Sequence, residues 1–293
     1  MQIIGNKKII DSLEQAREKN SLAQSYLFCG PEGLGKFLLA REFAEKLTGG
    51  KGDGVNPNLL QIEPEVEEKD GIFKEKEIKR EAVSELQKKF SLTAYSEHYR
   101  VAIIRSAQKL NLSAQNSLLK ILEEPPEKAI IILVAEDEKK MLPTIVSRCQ
   151  IMRFKLLTET ELESIIEADA PNRAELLFWA LGRPGFLRLM LNDVDKFKEK
   201  QEIVEELRKI FSLTGNEKLF LAESLAKDTP VLLEKLDLWV VLLRSVILGQ
   251  KSFVSVAPEK ALKLIEKIEE VKKIISSTNS NVRLAVENLL LAF

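Results

Sequence analysis

A chain of 293 residues, 45% of them apolar, is long enough to bury substantial cores and to form about two domains. With 44 Lys and Arg against 45 Asp and Glu it has no global positive field to hold nucleic acid by counterion release, so any DNA contact must be local or shared with partners. Cys29 and Cys149 are the two cysteines; no CxxC or Cys/His spacing suits zinc, and the pattern fits a reducing cytoplasm.

The start, "MQIIGNKKIIDSLEQ", is too polar for a signal peptide. "SYLFCG" predicts a short buried strand ending at Gly30, and "KFLLAREFAEKL" the helix that follows it, with Leu38, Leu39, Phe43 and Leu47 on one side. "TGGKGDGVNPNLLQIEPEVEEKDG" predicts loops around one short strand, "LLQIE", with the acidic "EPEVEEKDG" as a solvated loop. "IKREAVSELQKKF" spaces Ile78, Ala82, Leu86 and Phe90 at helical intervals, and "YRVAIIRSA" is a continuous apolar run of the kind buried in a parallel sheet. A helix "SAQNSLLKILEE" follows, with Ser113 as its expected N-cap and Pro125-Pro126 ending it. "AIIILVAED" is another central strand, and "LPTIVSRC" a short helix with Pro143 in its first turn. Strand and helix alternating over residues 1–155 predict an α/β core, a parallel sheet with helices on both faces.

Past "IMRFKLL" nearly every segment reads as helix. "TETELESIIEA", "AELLFWAL" and "GFLRLML" are short and suit a small bundle over 156–198. From about residue 199 the helices lengthen into an all-α C-terminal region, 199–293. "VLLEKLDLWVVLLRSVILG" is interrupted by Glu234, Lys235, Asp237 and Arg244, so no membrane span is expected. "EKALKLIEKIEEVKKII" puts Leu264, Ile265, Ile268, Val271 and Ile275 on one stripe, and Val282, Val286, Leu289 and Phe293 repeat it after "SSTNSN".

The chemistry centres on "GPEGLGKF". Seven of its eight positions fit the phosphate-binding pattern G-x-x-x-x-G-K-[ST], and the eighth, where a hydroxyl belongs, is Phe37. In such a loop Gly30, Gly33 and Gly35 let backbone N–H groups approach an anion at a helix N-terminus, and Lys36 adds a point charge. The Ser or Thr would ligate magnesium, and Phe37 has no oxygen to offer. Two readings stand side by side: a tight strand-to-helix turn that never meets nucleotide, and a weak or vestigial hold on ATP or ADP. An ATPase of this kind also needs an acidic pair at the end of the next core strand, and Arg105 and Ser106 stand there instead. Two losses in one reaction argue against intrinsic hydrolysis.

"SLAQSYLFCGPEGLGK", "SAQNSLLKILEEPPEKAIIILVAEDEKKMLPTIVSRCQ" and "NSNVRLAVENLLL" together resemble the delta-prime subunits of the bacterial DNA polymerase III clamp loader, a family of AAA+ proteins, over nearly the whole chain. The resemblance implies an AAA+ core (1–155), a helical lid (156–198) and an oligomerising helical collar (199–293). It implies a cytoplasmic subunit of a DNA polymerase holoenzyme, partnered by the gamma/tau ATPase and delta subunits and acting through them on the sliding clamp and primed DNA. It also implies a role for Arg148 in "SRC": an arginine finger that enters a neighbour's ATP site and stabilises the phosphoryl charge developing there.

Departures from the family are equally specific. Its four zinc cysteines are absent, so no zinc is expected, and no cofactor is required. Ala135 replaces the polar sensor at the end of "IIILVAED". Gly185 falls where the second sensor arginine belongs, with Arg183 and Arg188 nearby. His98, the single histidine, reads as part of an exposed turn, and both cysteines as small buried hydrophobes. The favoured function is a non-hydrolysing clamp-loader subunit that donates Arg148; the alternatives are an active ATPase of the same fold and an AAA+-shaped scaffold or DNA-binding adaptor.

Overall fold

Runs of apolar residues with no polar alternation have to be covered on both faces, and that requirement organises the first half of the chain. A computed structural model of the protein describes residues 3–50, 56–69, 72–91, 98–167, 170–249, 252–276 and 281–293. It divides into two compact units, Met1–Arg188 and Leu189–Phe293.

In the first unit α1 (Lys7–Glu18) precedes β1 (Ser25–Cys29), buried along its whole length, and α2 (Lys36–Thr48). β2 (Leu59–Ile62), β3 (Val66–Lys69), β4 (Ile72–Glu75) and α3 (Arg80–Ser91) follow. Next come β5 (Arg100–Ile104), α4 (Leu112–Glu123), β6 (Ala129–Ala135), α5 (Pro143–Val146) and β7 (Gln150–Arg153). The five-stranded sheet runs β2-β5-β6-β1-β7 with every pairing parallel, as the sequence predicts. Side chains alternate across it. Leu27, Ala102, Ile104, Ile131 and Leu133 share a core with Val83, Leu86 and Phe90 of α3 and Leu118 of α4. Tyr26, Phe28, Val101, Ile103, Ile130 and Ile132 share the opposite one with Leu13 of α1 and Leu39, Phe43 and Leu47 of α2.

Four expectations need correction or addition. The acidic "EPEVEEKDG" run is not a loop throughout: β3 pairs antiparallel with β4 in a separate two-stranded sheet, Val66 opposite Glu75. Its acidic composition suggested solvent, and β3 does lie outside the main sheet with Val66 exposed. The N-cap of α4 is Asn111, whose side chain accepts from Ala114 N, so Ser113 lies inside the first turn. Ile78 precedes α3 and bridges to Leu110, leaving Val83 as a fully buried residue of the helix. β7, too short to announce itself, extends the sheet beyond β1.

α6 (Glu159–Glu163), α7 (Arg173–Ala180) and the start of α8 (Pro184–Asn192) complete the first unit. The second contains α9 (Val194–Ile210), α10 (Gly215–Leu225), α11 (Thr229–Ile247), α12 (Pro258–Ser276) and α13 (Val282–Leu290). Leu264, Ile268 and Val271 of the predicted stripe are buried, as are Val286, Leu289 and Phe293, whose ring lies 5.8 Å from that of the fully buried Trp239. Among the described residues no helix is long and apolar enough to cross a membrane.

Candidate functional site

β1, β5 and β6 end side by side, in register through Cys29 with Ala135 and Leu133 with Ile104, and the loop after β1 emerges there. This is the edge at which open parallel sheets offer a crevice. A cavity of about 310 Å³ lies at it, lined by Gly33, Gly35, Lys36 and Phe37 of the loop, Arg105 and Ser106 after β5, Ala135 and Glu136 after β6, and Glu75 of β4. The structure therefore brings Gly33, Gly35 and Lys36 of the predicted loop together with the two residues that replace the acids, while Gly30 does not line the cavity.

The glycines serve the loop differently. Gly30 has φ 142°, and a Cβ on it would lie 2.5 Å from the backbone oxygen of Phe154, in a segment tied to the end of β1 by the bond from Phe154 N to Cys29 O at 2.7 Å. Gly33 (φ 79°) accepts from Gly185 N at 2.8 Å, and a Cβ on Gly185 would stand 2.9 Å from that same oxygen. Gly185 thus permits close approach to the loop. Beside it the Arg183 guanidinium lies over the Phe186 ring, 4.9 Å from its centre. Gly35 (φ 78°) caps α2 with open space around it.

Lys36 is turned back on its own loop. Its ammonium donates to Gly30 O and Pro31 O, both at 2.6 Å, and the residue is only 7% exposed. Burial depresses its pKa below the ordinary lysine value, against the opposing pull of Glu136 and Glu32. A charge-assisted bond to each carbonyl makes Lys36 a tie across the loop. Lys36→Met is expected to cost about 2 kcal/mol of stability, read from the urea midpoint, because it leaves two carbonyls without their charged donor; an unchanged midpoint would mean the tie carries no weight.

At the Phe37 side of the cavity stand Arg105 and Ser106. The Arg105 guanidinium sits 5.4 Å from the centre of the Phe37 ring and pairs with Glu63 at 3.0 Å. Ser106, at φ 49°, donates its hydroxyl to Glu75 at 3.2 Å. Glu63 and Glu75 were not legible as partners of this site, since Glu63 closes the short strand "LLQIE" and Glu75 lies in a stretch, 72–77, for which the sequence predicts no element. Among the described residues no group of three or more His, Cys, Asp and Glu is arranged to hold a metal.

Arg148 lies outside this cavity. Pro143 opens α5, and Leu142 N donates to Gln115 Oε1 at 2.9 Å while Gln115 Nε2 donates to Leu110 O, so a buried glutamine fastens α5 to α4. Beyond that turn Arg148 Nη2 lies 2.8 Å from Glu123 Oε1, and Nη1 donates to Thr144 O at 2.9 Å. Nothing in the sequence singled out Gln115 or Glu123. Burial pushes the Cys149 thiol up to about 12 and raises that of Cys29, so neither is poised as a thiolate. His98 is exposed, with its ring against Gly49.

The sequence profile described as DNA polymerase III, delta subunit, matches residues 5–158. DNA polymerase III subunit delta' of Bacillus subtilis is 34% identical over 187 residues, 58% of this chain and 54% of that protein. The subunit delta' of Pseudomonas aeruginosa is 30% identical over 209 residues, 64% of this chain and 61% of that one. The matches thus span little more than half the length of these curated relatives. A solved single-residue variant of RuvB from Thermotoga maritima aligns with a TM-score of 0.50 at 18% identity, over 90% of this chain and 95% of that one, which bears on fold alone. The architecture is AAA+-like, a parallel five-stranded sheet with flanking helices followed by helices. With the profile covering more than half of its length, the chain belongs to the family described as DNA polymerase III, delta subunit.

Proposed function

We propose that the chain is a clamp-loader subunit that does not hydrolyse ATP and instead lends Arg148 to the ATP site of a neighbouring subunit. One observation carries the first half: at the loop cavity Arg105 lies against Phe37 and Lys36 is engaged by two loop carbonyls. A magnesium triphosphate needs a hydroxyl, a carboxylate and a lysine aimed outward, and this donor set does not suit it. Any hold on ATP or ADP through Gly30, Gly33, Gly35 and Lys36 would be weak and independent of metal. The family and the exposed position of Arg148 after α5 support the second half.

On this reading residues 1–155 form the AAA+ core, 156–198 the lid and 199–293 the collar through which the subunit assembles. Its partners are the gamma/tau ATPase and delta subunits in the cytoplasm, and it reaches the sliding clamp and primed DNA as part of that complex. No zinc or other cofactor is required.

Restoring one missing group should not restore the reaction. Phe37→Thr supplies a hydroxyl but leaves Arg105, whose charge opposes magnesium, at the end of β5. ATP turnover by the purified Phe37→Thr chain is expected to stay at background in a magnesium-dependent phosphate-release assay. Steady turnover would favour the active-ATPase reading.

A further inference from the structure

Beside a long contact of 3.5 Å from Nη1 to the adjacent Ser147 Oγ, Arg148 has two short tethers on its own subunit, and they come from different elements. Glu123 is the last residue of α4, and the Thr144 carbonyl belongs to α5. The separation of these anchors is set by packing, because Gln115 joins the two helices and Ile145 is fully buried in the core that holds Leu118. The pair itself is solvent-accessible, Arg148 at 36% and Glu123 at 52% side-chain exposure, so it adds little to the stability of the fold. Its geometry is informative in another way. Glu123 is in contact with Nη2 while Nη1 turns to a neutral carbonyl, rather than the carboxylate gripping the guanidinium fork from both nitrogens. A guanidinium has five N–H donors, and this arrangement leaves others uncommitted while fixing the plane of the group.

We propose that Glu123 is the positioning residue for Arg148: it fixes the guanidinium plane so that the remaining donors are presented, already ordered, to the phosphoryl group on the neighbouring subunit. This rests on the reading of Arg148 as a finger. A long exposed side chain would otherwise have to lose its rotamer freedom at the moment of reaction, and ordering it beforehand lowers the barrier.

The test uses complexes reconstituted with the gamma/tau and delta subunits at matched assembly. Glu123→Ala should lower ATP turnover at the site facing this chain by about tenfold with KM for ATP unchanged, since the defect is one of orientation and not of substrate binding. Glu123→Gln, which keeps an acceptor oxygen, should retain most of the activity. In an Arg148→Ala background Glu123→Ala should add nothing, because its effect runs through the arginine. In the free chain, nitrogen NMR of the Arg148 guanidinium should show rotation that is restrained in the wild type and freed by Glu123→Ala. If Arg148→Ala is itself without effect, the finger reading and this proposal fall together. If Arg148→Ala slows turnover while Glu123→Ala leaves it unchanged or raises it, or if Glu123→Ala lowers it equally with and without the arginine, the positioning role alone is overturned.

Discussion

Arg148→Ala is expected to leave the isolated chain unaltered and to slow ATP turnover at the adjoining subunit's site by a factor on the order of 10³ to 10⁵, the range for arginines supplied in trans to nucleotidases. The two halves of that expectation have separate physical grounds. Within the chain Arg148 meets an exposed carboxylate and the Thr144 carbonyl, and an exposed ion pair contributes about 0–1 kcal/mol, so folding loses little. On the proposed reading a permanently charged planar group would face, across the interface, the charge that develops on the transferred phosphoryl, and its removal would go uncompensated. Arg148→Lys keeps the charge but loses the fork, and should not rescue. Total turnover of a loader with several sites will fall less than turnover at one, because the other sites retain their own arginines. Single-site rates, obtained by inactivating the remaining ATPase subunits in turn, make the comparison. A full rate with Arg148→Ala at the adjoining site would remove the finger role.

Gly30→Ala is the substitution in the loop expected to cost most stability, on the order of 3 kcal/mol, because both φ and space forbid a side chain there. Its Cβ would meet a backbone oxygen at 2.5 Å, and that oxygen belongs to the segment paired with the end of β1. Gly35→Ala provides the internal control. It shares a positive φ but has open space around it, so only the left-handed backbone penalty of about 1–2 kcal/mol applies. Urea denaturation of the two variants should rank them Gly30→Ala well below Gly35→Ala, and equal midpoints would show that the contact with Phe154 relaxes freely. The order separates a glycine needed to build the turn from one that stands at the open start of α2.

What the sequence disclosed follows from what is locally encoded. The strand, loop and helix from Ser25 to Thr48 were legible because apolar run, glycines and helical spacing succeed one another without a gap, and the parallel sheet because β5 and β6 have no polar face. The β3–β4 ribbon was not, since the charged sequence of β3, with Val66, Glu67 and Glu68 exposed, leaves no hydrophobic alternation to read. Ser113 was expected to cap α4, but the cap is Asn111, two positions earlier, a shift that only the backbone resolves. At the site, Phe37 and Arg105 were visible as departures from a pattern. Their mutual contact was not, nor was that of Ser106 with Glu75 or Arg148 with Glu123, because each joins segments far apart in the chain. Gly185 was noticed as a missing arginine, whereas its positive role is to let α8 approach the oxygen of Gly33.

The central claim is that a chain without its own ATP turnover is nevertheless required by a machine that has it. Clamp loading onto primed DNA, measured with complexes of the gamma/tau and delta subunits assembled with and without this chain, tests that most directly. The account predicts that the purified chain releases no phosphate from ATP with magnesium, that omitting it abolishes loading, and that adding it restores loading together with DNA-stimulated turnover by its neighbour. Equal loading in its absence, or magnesium-dependent turnover by the chain alone, would contradict the account.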